Sequence, residues 1–346
     1  MTEEADAERT LNVGMVGLGA HCRRTLLPTT KFLPVKLRAF CDVDEENLAV
    51  ARDRYAVEAT YTEAADMYAE QDLDAVFIAV SPMLHAELAC QALDAGVHVW
   101  VEKPPAMSAG EIEDMIEHRG DLVGMVGFKK AFMPAIYKVR EVLSAEGSGA
   151  LMTVLGEYAV RLPQNGAAVL EERQGNDWLA NGVHPVSAMM SVGGRVTAVT
   201  MHRGPWGGGV CVMEFGNGAV GNLHLAQGME GPCERYSFFA RGAHLVVDNA
   251  RKVIWHRHTP FRYHTSTSFA PEGTGHGSVV WEAGHTFASM ENKALFIQGF
   301  YGEMRHFCHC VLEGRQPELG GLEFALNVMQ VYEAGLRSQG GRVEIG

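Results

Sequence analysis

Apolar and polar positions in the first 130 residues alternate between two rhythms. Leu11–Val16 is a short apolar run that leads directly into Gly17-Leu18-Gly19. Residues 35–40 alternate with period two, as a half-buried strand does, and stop at Cys41-Asp42. Residues 74–80 and 122–127 are continuous apolar runs, as expected of parallel strands buried on both faces, and residues 97–101 read as another strand. Helical spacing fills the intervals. One helix spans about 20–27 and ends before Pro28, and others cover 45–54 and 85–95, the last closed by Gly96. Ser108 with Glu111 three residues on forms a capping box that opens a further helix. Strand and helix in regular alternation predict a doubly wound parallel sheet of the Rossmann type.

The rhythm changes after Phe132. Strand-like stretches at 152–160, 196–202, 209–215, 219–226, 236–240 and 244–247 follow one another through glycine-rich turns such as Phe215-Gly216-Asn217-Gly218. They predict a mostly antiparallel sheet, interrupted by a helical stretch at 177–190. Residues 256–295, rich in His, Thr, Ser and Gly, read as a long loop or lid, and helical periodicity returns at 298–312 and 322–336. The expected class is α/β: a Rossmann domain over 1–130 and an α+β domain with a large open sheet over 131–346. An apolar sheet face needs a cover in water, which points to a homodimer or homotetramer.

Composition narrows the function classes. The chain has 346 residues, 47% of them hydrophobic and 21% charged, enough for two cores and unlike a disordered chain. A net charge of -13 argues against nonspecific nucleic-acid binding but leaves an anionic small molecule open. The polar, acidic opening lacks the basic start and apolar run of a secretory signal, and no stretch reaches the roughly 20 apolar residues of a membrane span. Seven scattered cysteines fit a reduced, cytoplasmic chain better than a disulfide framework.

Four motifs carry chemistry. In Gly17-x-Gly19-x-x-Cys22 the first glycine allows a tight strand-to-helix turn and the second lets a pyrophosphate approach the backbone. Ala20 and His21 then open a helix whose free N–H groups face the phosphates, and Cys22 stands where the full fingerprint has a third glycine. Asp42, 23 residues after Gly19, can accept hydrogen bonds from an adenosine ribose and repel a 2′-phosphate, favouring NAD over NADP; the alternative is a surface aspartate beside Asp44 and Glu45. Glu102-Lys103-Pro104-Pro105 ends a buried strand where ligands of open α/β sheets bind, unless it is only a capped turn. In Asn176–His184 helical spacing puts Asp177, Ala180, Asn181 and His184 on one face, with His184 either a proton carrier or structural.

Five segments together resemble the Gfo/Idh/MocA oxidoreductases: VGLGAHC (16–22), CDVDEENLA (41–49), AVSPMLHAELACQALDAGVHVWVEKPPAMSAGE (79–111), NDWLANGVHPVS (176–187) and the closing helices over 302–335. The resemblance implies NAD-dependent transfer of hydride between a sugar or cyclitol hydroxyl and the nicotinamide. It implies Lys103 as the catalytic lysine and His184 as general base or acid. Val80, Ser81, Pro82, His85 and Glu102 would line the cofactor, and Lys130 falls where the family often has an arginine near it. Tyr158, Asp177, Trp178 and Asn181 are substrate candidates. Two family aspartates are absent, replaced by Ala180 four residues before His184 and Ser187 three after it. That keeps two alternatives open: an NAD-retaining enzyme that cleaves glycosides, and a non-catalytic dinucleotide-binding regulator.

Some features have bland readings. His256, His258 and His264, with His276 and His285 nearby, could suggest a metal site, but no cysteine cluster completes one and no metal is expected; the alternative is that they line a substrate mouth. Cys308-His309-Cys310 reads as helix packing. Trp178 and Trp206 are equally suited to a sugar ring or a core, and Arg161 is a weaker candidate for the cleft.

Overall fold

The computed structural model describes residues 9–145, 149–228, 234–257, 264, 277–283 and 293–346. The chain forms two compact units: Met1–Lys129 with Phe300–Met329, and Lys130–Gly299 with Gln330–Gly346.

The first unit is built on six parallel strands, β1 (Leu11–Val16), β2 (Val35–Cys41), β3 (Ala59–Tyr61), β4 (Ala75–Ile78), β5 (His98–Glu102) and β6 (Gly124–Gly127). Their order is β3-β2-β1-β4-β5-β6, so the connection reverses direction between β1 and β4, where doubly wound sheets bind ligands. β4 and β6 are buried at every position, as continuous apolar runs predict. The helix Ala109–Arg119 begins with the expected capping box: the Glu111 amide donates to Ser108 Oγ (3.4 Å) and the Ser108 amide to Glu111 Oε2 (3.1 Å). The helix Pro82–Asp94 starts three residues earlier than the apolar spacing suggests, because proline suits a first helical turn, where no N–H is required.

Residues 300–329 do not belong with the second unit, as a division after residue 130 would have them. The helix Phe300–Glu313 lays its apolar side on this sheet, with Phe307 and Phe77 ring centroids 5.7 Å apart and Phe77 in turn 5.7 Å from Trp100. Leu322 fills the space beside Gly124, and the Val126 amide donates to Gly320 O at 2.8 Å. An amphipathic helix follows the apolar surface it can cover rather than its place in the chain.

The second unit holds a nine-stranded sheet among the described residues: β7 (Leu151–Tyr158), β8 (Val196–Arg203), β9 (Gly209–Phe215), β10 (Val220–Leu225), β11 (Glu234–Ala240), β12 (Ala243–Asp248), β13 (Lys252–Arg257), β14 (Gly277–Glu282) and β15 (Arg342–Glu344). The order is β14-β13-β12-β11-β7-β10-β9-β8-β15, antiparallel except where β7 and β10 run parallel. The helix Val183–Gly193 packs on this sheet, its Met189 side chain lying against Gly156 and Gly221. β14 lies inside the stretch expected to be a loop; its run Val279-Val280-Trp281 pairs in antiparallel register with β13. His258, His276 and His285 lie outside the described residues. Among those described, no helix is long and apolar enough to cross a membrane.

Phe307 is fully buried, so Phe307→Ala should cost the first unit about 3–5 kcal/mol through lost transfer energy and a cavity. Chemical denaturation measures this; a loss within roughly 0.5 kcal/mol, typical of surface changes, would remove the helix from that core.

Candidate active site

The glycine turn of the first unit is set by close approach. Gly17 has φ +86°, and a Cβ there would sit 2.3 Å from Ala79 O, while its amide donates to Cys41 O at 2.9 Å. Only glycine satisfies both demands. Gly19 differs: a Cβ there would meet nothing within 4 Å, because the position borders a cavity of about 530 Å³ that Asp42, Val43, Thr62, Glu63 and Leu84 also line. A chain segment or ligand can therefore approach the bare backbone at Gly19. The helix begins at Ala20 and widens to five-residue turns over Cys22–Leu26, then runs on through Leu27–Thr30. It therefore does not stop before Pro28. The widened turn absorbs a proline that has no N–H to donate, and the Thr29 and Thr30 hydroxyls bond to Thr25 O and Leu27 O. Cys22 packs as a small core residue, its thiol pushed far up by burial.

Asp42 closes this turn from the β2 side. Its Oδ2 accepts the Leu18 amide at 2.6 Å and Asn47 Nδ2 at 3.4 Å, and its Oδ1 accepts the Asp44 amide at 2.9 Å. The aspartate thus holds the glycine turn in place, and a carboxylate with about four acceptor sites keeps capacity for a ribose hydroxyl.

Lys103 follows β5 directly, and its bond to Pro104 is cis. His85 braces this turn. Its Nδ1 lies 2.8 Å from Pro104 O, and its Nε2 accepts the Val80 amide at 3.2 Å, which requires a neutral ring with the proton on Nδ1. Burial, at 1% exposure, pulls its pKa down and keeps it neutral. His85 was expected along the nicotinamide; both of its nitrogens instead serve backbone groups, joining the segment after β4 to the segment after β5. Glu102 is buried behind Lys103, with His21 Nε2 3.6 Å from its Oε2 and the His21 ring 5.8 Å from Phe300.

In the second unit, Lys130 is buried in an ion pair with Glu234, whose other oxygen accepts the Tyr236 hydroxyl at 3.1 Å. Its charge is committed there rather than exposed for a cofactor. His184 is buried in the first turn of Val183–Gly193, with the Tyr158 ring 6.4 Å away. Burial pushes the Tyr158 phenol well up, so it is neutral and able to donate a hydrogen bond. Trp178–Gly182 forms another widened turn, so the single helical face expected across 177–184 is broken. Asp177 instead accepts the Arg161 amide and Asn181 Nδ2, both at 2.6 Å, and fixes the loop after β7. Trp178, a substrate candidate by position, is a core residue. It is 1% exposed, it donates to Tyr332 O at 3.2 Å, and a Cβ on Gly182 would lie 2.1 Å from its ring. Trp206 is the opposite, 94% exposed on the turn between β8 and β9. Ser187 Oγ donates to His184 O at 2.9 Å. His256 lies on β13 with Nδ1 2.8 Å from Ser278 Oγ, and among the described residues no group of three or more His, Cys, Asp or Glu could hold a metal ion.

Residues 11–127 match the sequence model of the Gfo/Idh/MocA oxidoreductase family, described as an NAD-binding Rossmann fold. Over these residues the chain is similar to the Rossmann domain of that family. Inositol 2-dehydrogenase of Salmonella paratyphi B is 29% identical over 157 residues, 43% of this chain and 46% of that protein. D-xylose 1-dehydrogenase (NADP(+)) 2 of Haloferax volcanii is 28% identical over 153 residues, 44% of this chain and 46% of that protein. The chain therefore spans less than half the length of these curated relatives in the matched region. A levoglucosan dehydrogenase solved with NADH and L-sorbose superposes with a TM-score of 0.79 at 18% identity, covering 98% of this chain and 99% of that one. At that identity the likeness concerns the fold.

Several contributors to this Rossmann site leave little trace in sequence. Thr62 and Glu63 follow β3, a three-residue strand too short to show a period. Glu303, fully buried in Phe300–Glu313, is a lone acid on the apolar side of an amphipathic helix, and that placement is the one signal available.

Gly17→Ala should abolish dinucleotide binding, because the methyl group meets Ala79 O inside contact distance and the positive φ adds about 1 kcal/mol or more of strain. Gly19→Ala has room in the protein itself, so it should fold normally and lose only the ligand. Nucleotide-dependent thermal shifts read both; an unchanged shift in Gly17→Ala would contradict this account.

Proposed function

We propose that the protein is an NAD-dependent dehydrogenase that oxidises a hydroxyl of a sugar or cyclitol, or reduces the matching ketone. The observation that carries this reading is Lys103, a lysine set at the carboxyl end of β5 by the His85 brace on Pro104, in a domain whose family binds NAD. The dehydrogenase names of the relatives support the same class of substrate.

The residues fit the cofactor: Gly19 leaves open space at the start of a helix, and Asp42 beside it offers acceptors for ribose hydroxyls. Bound NAD supplies the hydride acceptor. Lys103 donates a hydrogen bond to the reacting oxygen and stabilises the negative charge that develops there. The resemblance to the family gives His184 the hydroxyl proton, and the Tyr158 ring packs 6.4 Å from it. Asp42 and Glu63 border the same cavity, so a 2′-phosphate would meet two carboxylates, which favours NAD over NADP.

Absorbance at the NADH band over a panel of sugars and inositols tests the assignment. Lys103→Ala and His184→Ala should each lower kcat by about 10²–10⁴-fold; near-normal turnover in both would sink it. With the same panel, NADP should serve at least about tenfold less well than NAD, equal to ~1.4 kcal/mol. Asp42→Ala should narrow that gap while weakening NAD, because the Leu18 amide loses its acceptor. A wild-type preference for NADP would refute the role given to Asp42.

A further inference from the structure

Glu303 is the most anomalous group in the first unit. It is wholly buried, and neither carboxyl oxygen has a hydrogen-bond partner among the described residues; Glu102 Oε2, on β5, is buried and likewise without one. A buried ionised carboxylate without donors costs several kcal/mol, which proteins avoid by keeping such a group protonated. The charged and titratable groups around it come from each neighbouring element. Glu102 and Lys103 stand at the end of β5, and Lys129 follows β6 with its ammonium 4.2 Å from the Phe300 ring centroid. His21 faces Glu102 from the first helix, and Arg305 and His306 share Glu303's own helix. Burial, reinforced by the charge of Glu102, pushes the Glu303 carboxyl well above the usual carboxylate range, with Lys129 and Lys103 opposing that only in part.

We infer that Glu303 is a positioning acid whose proton sets the charge beside Lys103: the group is neutral while it keeps that proton and adds one negative charge on losing it. The inference rests on the cofactor reading above. The nicotinamide ring is positive when oxidised and neutral when reduced. A more positive surrounding disfavours the oxidised form, so protonated Glu303 favours NADH relative to ionised Glu303, which favours NAD. The residue exchanges no electron and touches no substrate; it couples a proton equilibrium to the choice between the two cofactor forms.

The test is nucleotide affinity, not turnover. Dissociation constants for NADH and NAD, from fluorescence and calorimetry between pH 6 and 9.5, should show the wild-type preference for NADH falling as pH rises. The limit for one linked proton is tenfold per pH unit. Glu303→Gln, neutral at every pH, should retain the low-pH preference throughout and lose the slope. Should that variant fail to fold, wild-type calorimetry in buffers of different ionisation enthalpy carries the test, with unequal proton uptake expected for the two nucleotides. A flat wild-type ratio, an identical slope in Glu303→Gln, or equal proton uptake would each overturn the inference while leaving the cofactor reading intact. Failure of both nucleotides to bind would overturn both.

Discussion

One imidazole holds two strand ends together. His85 receives the Val80 amide on one nitrogen and gives its proton to Pro104 O with the other, so the backbone after β4 and the backbone after β5 are fixed to a single rigid ring. Both bonds require the neutral tautomer, and burial supplies it by disfavouring charge. The position of Lys103 depends on this brace. The bond from the buried His85 ring to Pro104 O holds the turn that carries the lysine. The same logic applies two strands away, where Asp42 pins the Leu18 amide and with it the glycine turn.

Charge is distributed unevenly around these ends. Asp42 and Glu63 border the open cavity, where water and ligand donors can satisfy them. Glu102 and Glu303 are buried, where nothing of the kind reaches them. For Glu303 burial favours the protonated form, with Lys129 and Lys103 opposing it only in part.

The second unit shows how local geometry redirects chemistry. Its widened helical turn Trp178–Gly182, like Cys22–Leu26 in the first unit, adjoins residues of interest. There, Asp177 and Asn181 bond to each other and to the loop after β7. His184, in the helix that follows, has the Tyr158 ring as its neighbour. Trp178 completes the core under Gly182, and Lys130 is neutralised by Glu234.

The period of apolar residues determined the strands of the Rossmann unit and most of the second sheet, since burial on one or both faces leaves a direct mark on sequence. Gly17, Asp42 and Lys103 were legible because each answers a local requirement: a positive φ, an acid at a strand end, a stiff turn. The tertiary structure alone decided what depends on partners distant in sequence. It placed residues 300–329 against β5 and β6, gave both His85 nitrogens backbone partners, tied Trp178 to Tyr332 O and paired Lys130 with Glu234. It also left both Glu303 carboxyl oxygens without a hydrogen-bond partner among the described residues. Spacing along a chain reports which face a residue takes; only packing reports which atoms it meets there, and hydrogen bonding and ionisation follow from those atoms.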